Sequence, residues 1–207
     1  MASFDLAQKY VKVAEGGYQA TVSDEGNYVN GKLIGTNWGI SAPVLADYLG
    51  REPSVADMKN LTYETALKIY KKDFWDEIGG DSIKNDSVAI VVYDGAVNQG
   101  VGALRNIVKS ASGASTNLPN KEAIDKVNNY SDQKELFTKI GQARIERYIA
   151  GGFGAAWQNR VKNIIYSGVE KVKDNWLPII FISIGMASVV AGIIYRKHII
   201  KFINAKI

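Results

Sequence analysis

The chain has no cysteine, and its only histidine, His198, lies near the end of its 207 residues, beyond a long apolar run. The first absence excludes a thiol nucleophile, a disulfide framework and a thiolate metal site. The second leaves the body of the chain without a Ser-His-Asp triad or a His-rich zinc site. Acid–base chemistry in the body therefore falls to Asp, Glu, Lys or Tyr. No metal and no cofactor is expected. An excess of charge is also missing where it would matter. The formal net charge is +4, but Arg196, Lys197, Lys201 and Lys206 lie beyond Trp176 with no acid among them. Residues 1–175 keep 21 basic and 21 acidic side chains, so the body carries no electrostatic footprint for nucleic acid.

One long hydrophobic run is present. Trp176 to Tyr195 holds twenty residues without a charge, about the length that spans a hydrocarbon core of about 30 Å as a helix. Aromatic residues stand at both ends, as at membrane interfaces. A lipid bilayer is thus an expected partner through residues 176–195. Arg196, Lys197 and Lys201 follow the run, and the positive-inside rule then makes residues 196–207 a basic cytoplasmic tail and puts residues 1–175 on the other side. Ser188 with Gly192, and Ala187 with Ala191, form small-xxx-small pairs that suit helix–helix self-association. Met1–Tyr10 has neither a basic n-region nor an apolar h-region, so it does not read as a signal peptide. Transfer of the body would need another route.

The body reads as mostly helical. Phe4, Ala7, Tyr10, Val11 and Ala14 recur at helical spacing, predicting a first helix from about Phe4 to Glu15. Residues 19–35 alternate β-prone pieces with the turn signals Asp24-Glu25-Gly26-Asn27 and Asn30-Gly31, predicting a small β wing. Ser41-Ala42-Pro43 opens a short helix that Gly50 stops. Thr62 caps a longer one expected to run through Ile78 to Gly79-Gly80. Val88 to Val97 is apolar enough for a central buried helix after Asp86. Further helices are expected near 102–110, 121–128, 132–149 and 157–172. Arg144, Arg147 and Arg160 read as a solvated face.

Two stretches carry chemistry: Glu15-Gly16-Gly17-Tyr18, and Thr36-Asn37-Trp38-Gly39-Ile40, with Asp24 between them. A Glu at a helix C-terminus faces the negative end of the dipole, which disfavours its ionisation, and partial burial beside Tyr18 and Trp38 would act the same way. A carboxylic acid that keeps its proton can protonate a leaving oxygen. Asp24 could orient a water or stabilise developing positive charge, and Thr36 could hold that water by a hydrogen bond. Each residue also has a plainer reading: Glu15 as a helix-end carboxylate, Asp24 as a turn former, Trp38 as core, Tyr93 and Asn98 as packing and capping groups. Only the joint pattern argues for a site.

At these residues the chain resembles glycoside hydrolase family 108, the N-acetylmuramidase group that includes phage endolysin-like proteins. Glu15-Gly16-Gly17-Tyr18 is similar to the family's opening motif, and Thr36-Asn37-Trp38-Gly39-Ile40 to its second block. Tyr93-Asp94-Gly95-Ala96-Val97-Asn98-Gln99-Gly100 resembles the start of a C-terminal peptidoglycan-associated module. Arg147-Tyr148 and Trp157-Gln158-Asn159-Arg160-Val161 resemble that module's end. The resemblance implies Glu15 as catalytic acid, Asp24 as the water-positioning carboxylate and Thr36 as its hydroxyl partner. The segment Glu25 to Gly35 is longer than the family's usual connection, and Glu25 is the alternative second carboxylate.

The expected fold is therefore α+β, mostly α: a lysozyme-like helical domain with a small β wing, followed by a transmembrane helix. Residues 1–92 would form the catalytic region and 93–175 a helical module packed on it. The expected activity is hydrolysis of the β-1,4 bond between N-acetylmuramic acid and N-acetylglucosamine in peptidoglycan glycan strands, with inversion. Tyr18, Trp38, Asn98 and Gln99 are candidate substrate contacts. A lytic transglycosylase and a non-catalytic, membrane-anchored wall-binding or assembly protein are the rival readings.

Overall fold

The computed structural model describes residues 1–11 and 17–164. Helix α1 (Phe4–Tyr10) starts at Ser3, whose hydroxyl accepts from the Leu6 amide. A wing follows from residue 17 onward. Its hairpin pairs β1 (Tyr28–Val29) antiparallel with β2 (Lys32–Leu33). Asn30 and Gly31 make the turn at φ of 49° and 76°, the two positive values that a two-residue hairpin of right-handed twist requires. An antiparallel bridge between Gln19 and Thr36 closes the wing's base.

Helix α2 (Ala42–Leu49) carries Pro43 in its first turn and ends at Gly50 with φ 65°. The sequence pattern gave no sign of α3 (Val55–Lys59), five residues set by a capping box in which Ser54 and Asp57 satisfy each other's backbone amides. Thr62 caps α4 (Tyr63–Tyr70) by accepting from the Thr65 amide. The expected uninterrupted helix to Ile78 does not form: after Tyr70 the chain widens into a π-helical turn over Lys71–Asp76. There the Trp75 ring is fully buried against Phe4 and Tyr93, its indole N–H donates to Asp81 at 2.7 Å, and Gly80 leaves the space the ring fills. Packing of that ring offsets the poorer backbone geometry of the wide turn.

Helix α5 (Asp86–Gln99) is capped by Asn85, and every residue from Ser87 to Ala96 is buried. Helices α6 (Val101–Ser112), α7 (Lys121–Asn128), α8 (Gln133–Ala150) and α9 (Ala155–Lys162) follow. One apolar core surrounds α5 and takes in Ala7 and Val11 from the α1 segment, Trp75 and Ile78, Val108, Val127, Leu136 and Ile140. A second lies under the wing, built from Ile34, Ile40, Leu45, Met58, Ile69 and Tyr70. Phe4, Phe74 and Val97 touch both cores and join the wing side to the helical side. Each fully buried Val, Leu, Ile or Phe contributes about 1.5–3 kcal/mol. The division expected between residues 92 and 93 falls inside the continuous α5.

The architecture is thus mostly helical with a single small sheet among the described residues, consistent with a lysozyme-like α+β fold. No helix among those residues is long and apolar enough to cross a membrane. Trp176–Tyr195 and the basic tail lie outside them, as does everything beyond Ile164 of the helix expected near 157–172.

Candidate active site

Glu15 lies outside the described residues. The wing that follows it brings two of its expected partners into one hydrogen-bond network. The Asp24 side chain accepts from the Gly26 amide at 3.0 Å and from the Gln19 amide group at 3.4 Å. Gln19 exchanges two bonds of 3.1 Å with Asn27, donating to its oxygen and accepting from its nitrogen. The Thr36 hydroxyl donates to the same Asn27 oxygen at 2.6 Å. Asn27 is fully buried and also donates to the Thr21 carbonyl at 2.9 Å. Asp24 and Thr36 are therefore linked as Asp24–Gln19–Asn27–Thr36. Asp24 and Glu25 are exposed; the structure ties Asp24, not Glu25, by side-chain hydrogen bonds to this network.

The backbone holds this network in place. Gln19 and Thr36 exchange N–H···O bonds of 2.8 and 2.9 Å, and the Asn27 carbonyl accepts from both Ile34 and Gly35. Gly35 sits at φ 97°, and a Cβ there would meet the Tyr18 ring at 2.5 Å and the Gln19 carbonyl at 2.6 Å. Only glycine lets Tyr18 lie across the wing's base. The Tyr18 hydroxyl donates to the Ile34 carbonyl at 3.1 Å.

The second block is a tight turn. Asn37 and Ile40 pair through Trp38 and Gly39, with φ of 52° and 71°. A left-handed tryptophan is uncommon and costs on the order of 1–3 kcal/mol, so surrounding contacts must hold it. They do. The Trp38 indole donates to the Leu61 carbonyl at 2.9 Å, its own carbonyl accepts from Tyr70 at 3.3 Å, and its ring packs on Tyr63 at 5.2 Å. The buried Asn37 amide donates to the Met58 and Lys59 carbonyls, satisfying the end of α3. Burial raises the Tyr70 hydroxyl well above the usual tyrosine range, keeping it a neutral donor.

Asn98 and Gln99 stand elsewhere on α5. Asn98 donates to the carbonyl and carboxylate of Asp94. Gln99 donates to the Arg144 carbonyl at 3.0 Å and accepts from its guanidinium at 2.9 Å. Both line a groove of about 790 Å³ with Asn106, Arg147 and Phe153. Of the expected solvated arginine face, Arg147 is exposed, whereas Arg144 and Arg160 are corrected. Arg144 is fully buried, donating to Asp94 at 2.6 Å and to the Val91 carbonyl at 2.9 Å. Arg160, partly exposed, donates twice to the other Asp94 oxygen. One charge inside the apolar run Val88–Val97 demands such partners. That lone aspartate was the signal. For Asn27, Gln19 and Asn37, the sequence offered only turn-rich context.

Residues 8–100 match the glycosyl hydrolase 108 family. That match makes the chain a glycoside hydrolase of the muramidase type. The matched segment contains Glu15, the whole wing and α5 to its cap at Gly100. The hydrolase is also similar to the solved structure of Brucella abortus SagA, with 25% identity and a TM-score of 0.68 over 78% of this chain and 90% of that one. No curated protein sequence matches it. Together the two likenesses support a peptidoglycan hydrolase of the lysozyme type.

Proposed function

We infer that the chain hydrolyses the β-1,4 bond between N-acetylmuramic acid and N-acetylglucosamine, with Glu15 as general acid and inversion at the anomeric carbon. The observation that carries this reading is the Asp24–Gln19–Asn27–Thr36 network in the wing that follows Glu15. Because Thr36 donates its proton to Asn27, its oxygen remains an acceptor for a water. In the proposed step Glu15 protonates the glycosidic oxygen as the C–O bond breaks. The held water bonds to the anomeric carbon from the opposite face and gives its proton to Asp24. A bound water nucleophile favours hydrolysis over lytic transglycosylation, in which the sugar's own hydroxyl attacks. Tyr18 and Trp38 border this site and are the proposed sugar contacts.

Placed in the whole chain, the uncharged run from Trp176 to Tyr195 anchors this domain in a bilayer, with the domain on the wall side and the basic tail in the cytoplasm. Alkaline-carbonate extraction of membranes carrying the full chain tests the anchor: release into the supernatant refutes it.

The decisive test is Glu15→Gln in the full chain on purified sacculi, read as new reducing ends with mass spectrometry of the products. A positioned general acid contributes about 10²–10⁴-fold, so the variant should lose at least about a hundredfold. Full retained activity removes Glu15 from the mechanism. Anhydro-muramyl products from the wild type would replace hydrolysis with transglycosylation. Retention at the anomeric carbon, by NMR, would replace the held water with a covalent nucleophile.

A further inference from the structure

Beside the Trp38 turn the wing meets a cation that the proposed hydrolysis does not use. Lys59 ends α3, and its backbone carbonyl accepts from the Asn37 amide, which ties it to the Thr36–Ile40 block. Its ammonium lies over the face of Tyr18, 5.0 Å from the ring centroid. Tyr18 follows Glu15 by three residues, a chain reach of at most about 11 Å. Two other lysines have carboxylate partners: Lys32 pairs with Glu52, and Lys68 with Glu64. Among the described residues no carboxylate forms an ion pair with Lys59, which is exposed.

A second open group stands on the Trp38 turn. Tyr63, at the start of α4, packs its ring on Trp38 and remains 46% exposed. Tyr18 thus lies under the Lys59 ammonium, while Trp38 and Tyr63 pack together beside Leu61, two residues beyond the end of α3. Aromatic faces suit the apolar faces of sugar rings and do not discriminate among them. An ammonium offers three donors and no acceptor, so it selects an anionic acceptor.

We propose that Lys59, with Tyr63 extending the sugar-contacting surface, reads a carboxylate on the glycan and makes this hydrolase selective for muramyl strands over neutral N-acetylglucosamine polymers. The inference rests on the muramidase reading above. Two carboxylates share the needed chemistry: that of the lactyl ether on the muramyl ring, exposed when the peptide is absent, and those of the peptide stem itself.

The test separates binding from cleavage. Binding of the full chain is measured in the Glu15→Gln background, with and without Lys59→Met, on three substrates: intact sacculi, glycan strands stripped of peptide by an amidase, and chitin oligosaccharide. A charge-assisted contact at a partly open surface should be worth about tenfold in affinity, reduced by salt. Lys59→Met should weaken binding about tenfold on at least one carboxylated substrate, flatten its salt dependence, and leave chitin binding unchanged. Lys59→Arg should retain most of the affinity. Loss on stripped strands assigns the lactyl carboxylate; loss on intact sacculi alone assigns the stem. Unchanged binding and salt dependence on both carboxylated substrates, or equal loss on chitin, overturns the proposal. In a Glu15-containing chain, Lys59→Met should raise KM and leave kcat near wild type. An intact chain that binds through Lys59 yet never cleaves would refute the muramidase reading and not this one.

Discussion

Removing the side chain of Asn27 tests whether the wing is held by its buried amide. Four side-chain hydrogen bonds end there: from Thr36 at 2.6 Å, from and to Gln19 at 3.1 Å each, and to the Thr21 carbonyl at 2.9 Å. Each is worth about 1 kcal/mol net, and a partner left dry costs more. Gln19 and Thr36 are only half-buried and Thr21 is exposed, so water can replace part of what is lost. Asn27→Ala should therefore cost about 2–3 kcal/mol, not 4 or more. For a chain of this size that is about 5–10 °C in Tm. Urea unfolding measures it. Assayed well below its new midpoint, the variant should also lose about tenfold in kcat on sacculi with KM little changed, because Thr36 no longer has a fixed acceptor.

Asn27→Asp sharpens the argument, since it keeps the shape. Its second oxygen would replace the donor that now faces two acceptors, Gln19 Oε1 and the Thr21 carbonyl. Desolvation and those acceptors both raise its folded pKa, so the variant gains relative stability as pH falls and loses it as pH rises through that pKa. At neutral pH it should be no more stable than Asn27→Ala, and acidification should narrow its gap to wild type. A change below about 0.5 kcal/mol for Asn27→Ala, or a neutral-pH Asn27→Asp as stable as wild type, would refute the account.

Two further perturbations probe the helical side. Asp94→Ala strips the buried Arg144 of its counter-ion and should cost about 3–5 kcal/mol by chemical denaturation, whereas Asp94→Leu with Arg144→Met should cost less than the two single changes added. Glu122 accepts from the Thr116 hydroxyl and from the Ser115 and Thr116 amides, which lowers its carboxyl to about 2. A depressed folded pKa stabilises above the unfolded value and is lost as pH falls. Wild type should therefore lose stability between about pH 4.5 and 2 more steeply than Glu122→Gln in pH-dependent unfolding; parallel curves would remove Glu122 from the loop's support.

What the sequence disclosed follows from how far each cause reaches along the chain. The Asn30-Gly31 turn, the Thr62 cap and the apolar span of α5 are local, and each lies where its pattern predicts. The π-helical turn is not local: its cause is the pocket that Phe4 and Tyr93 offer Trp75. Arg144 and Arg160 were misread for the same reason, because Asp94 is 50 and 66 residues away and no spacing rule joins them. The candidate site combines both kinds of cause. Asp24 is visible as a turn former, and it does cap the turn after it; Thr36 is visible as a hydroxyl beside a tight turn. Neither pattern shows that one buried asparagine joins them through Gln19. The lengthened Glu25–Gly35 segment, which at first argues against Asp24, contains Asn27 and the hairpin whose closure brings Ile34 and Gly35 back onto Asn27's carbonyl. The extra residues build the scaffold that connects Asp24 to Thr36, so the departure in length is compatible with the pairing that it had put in question.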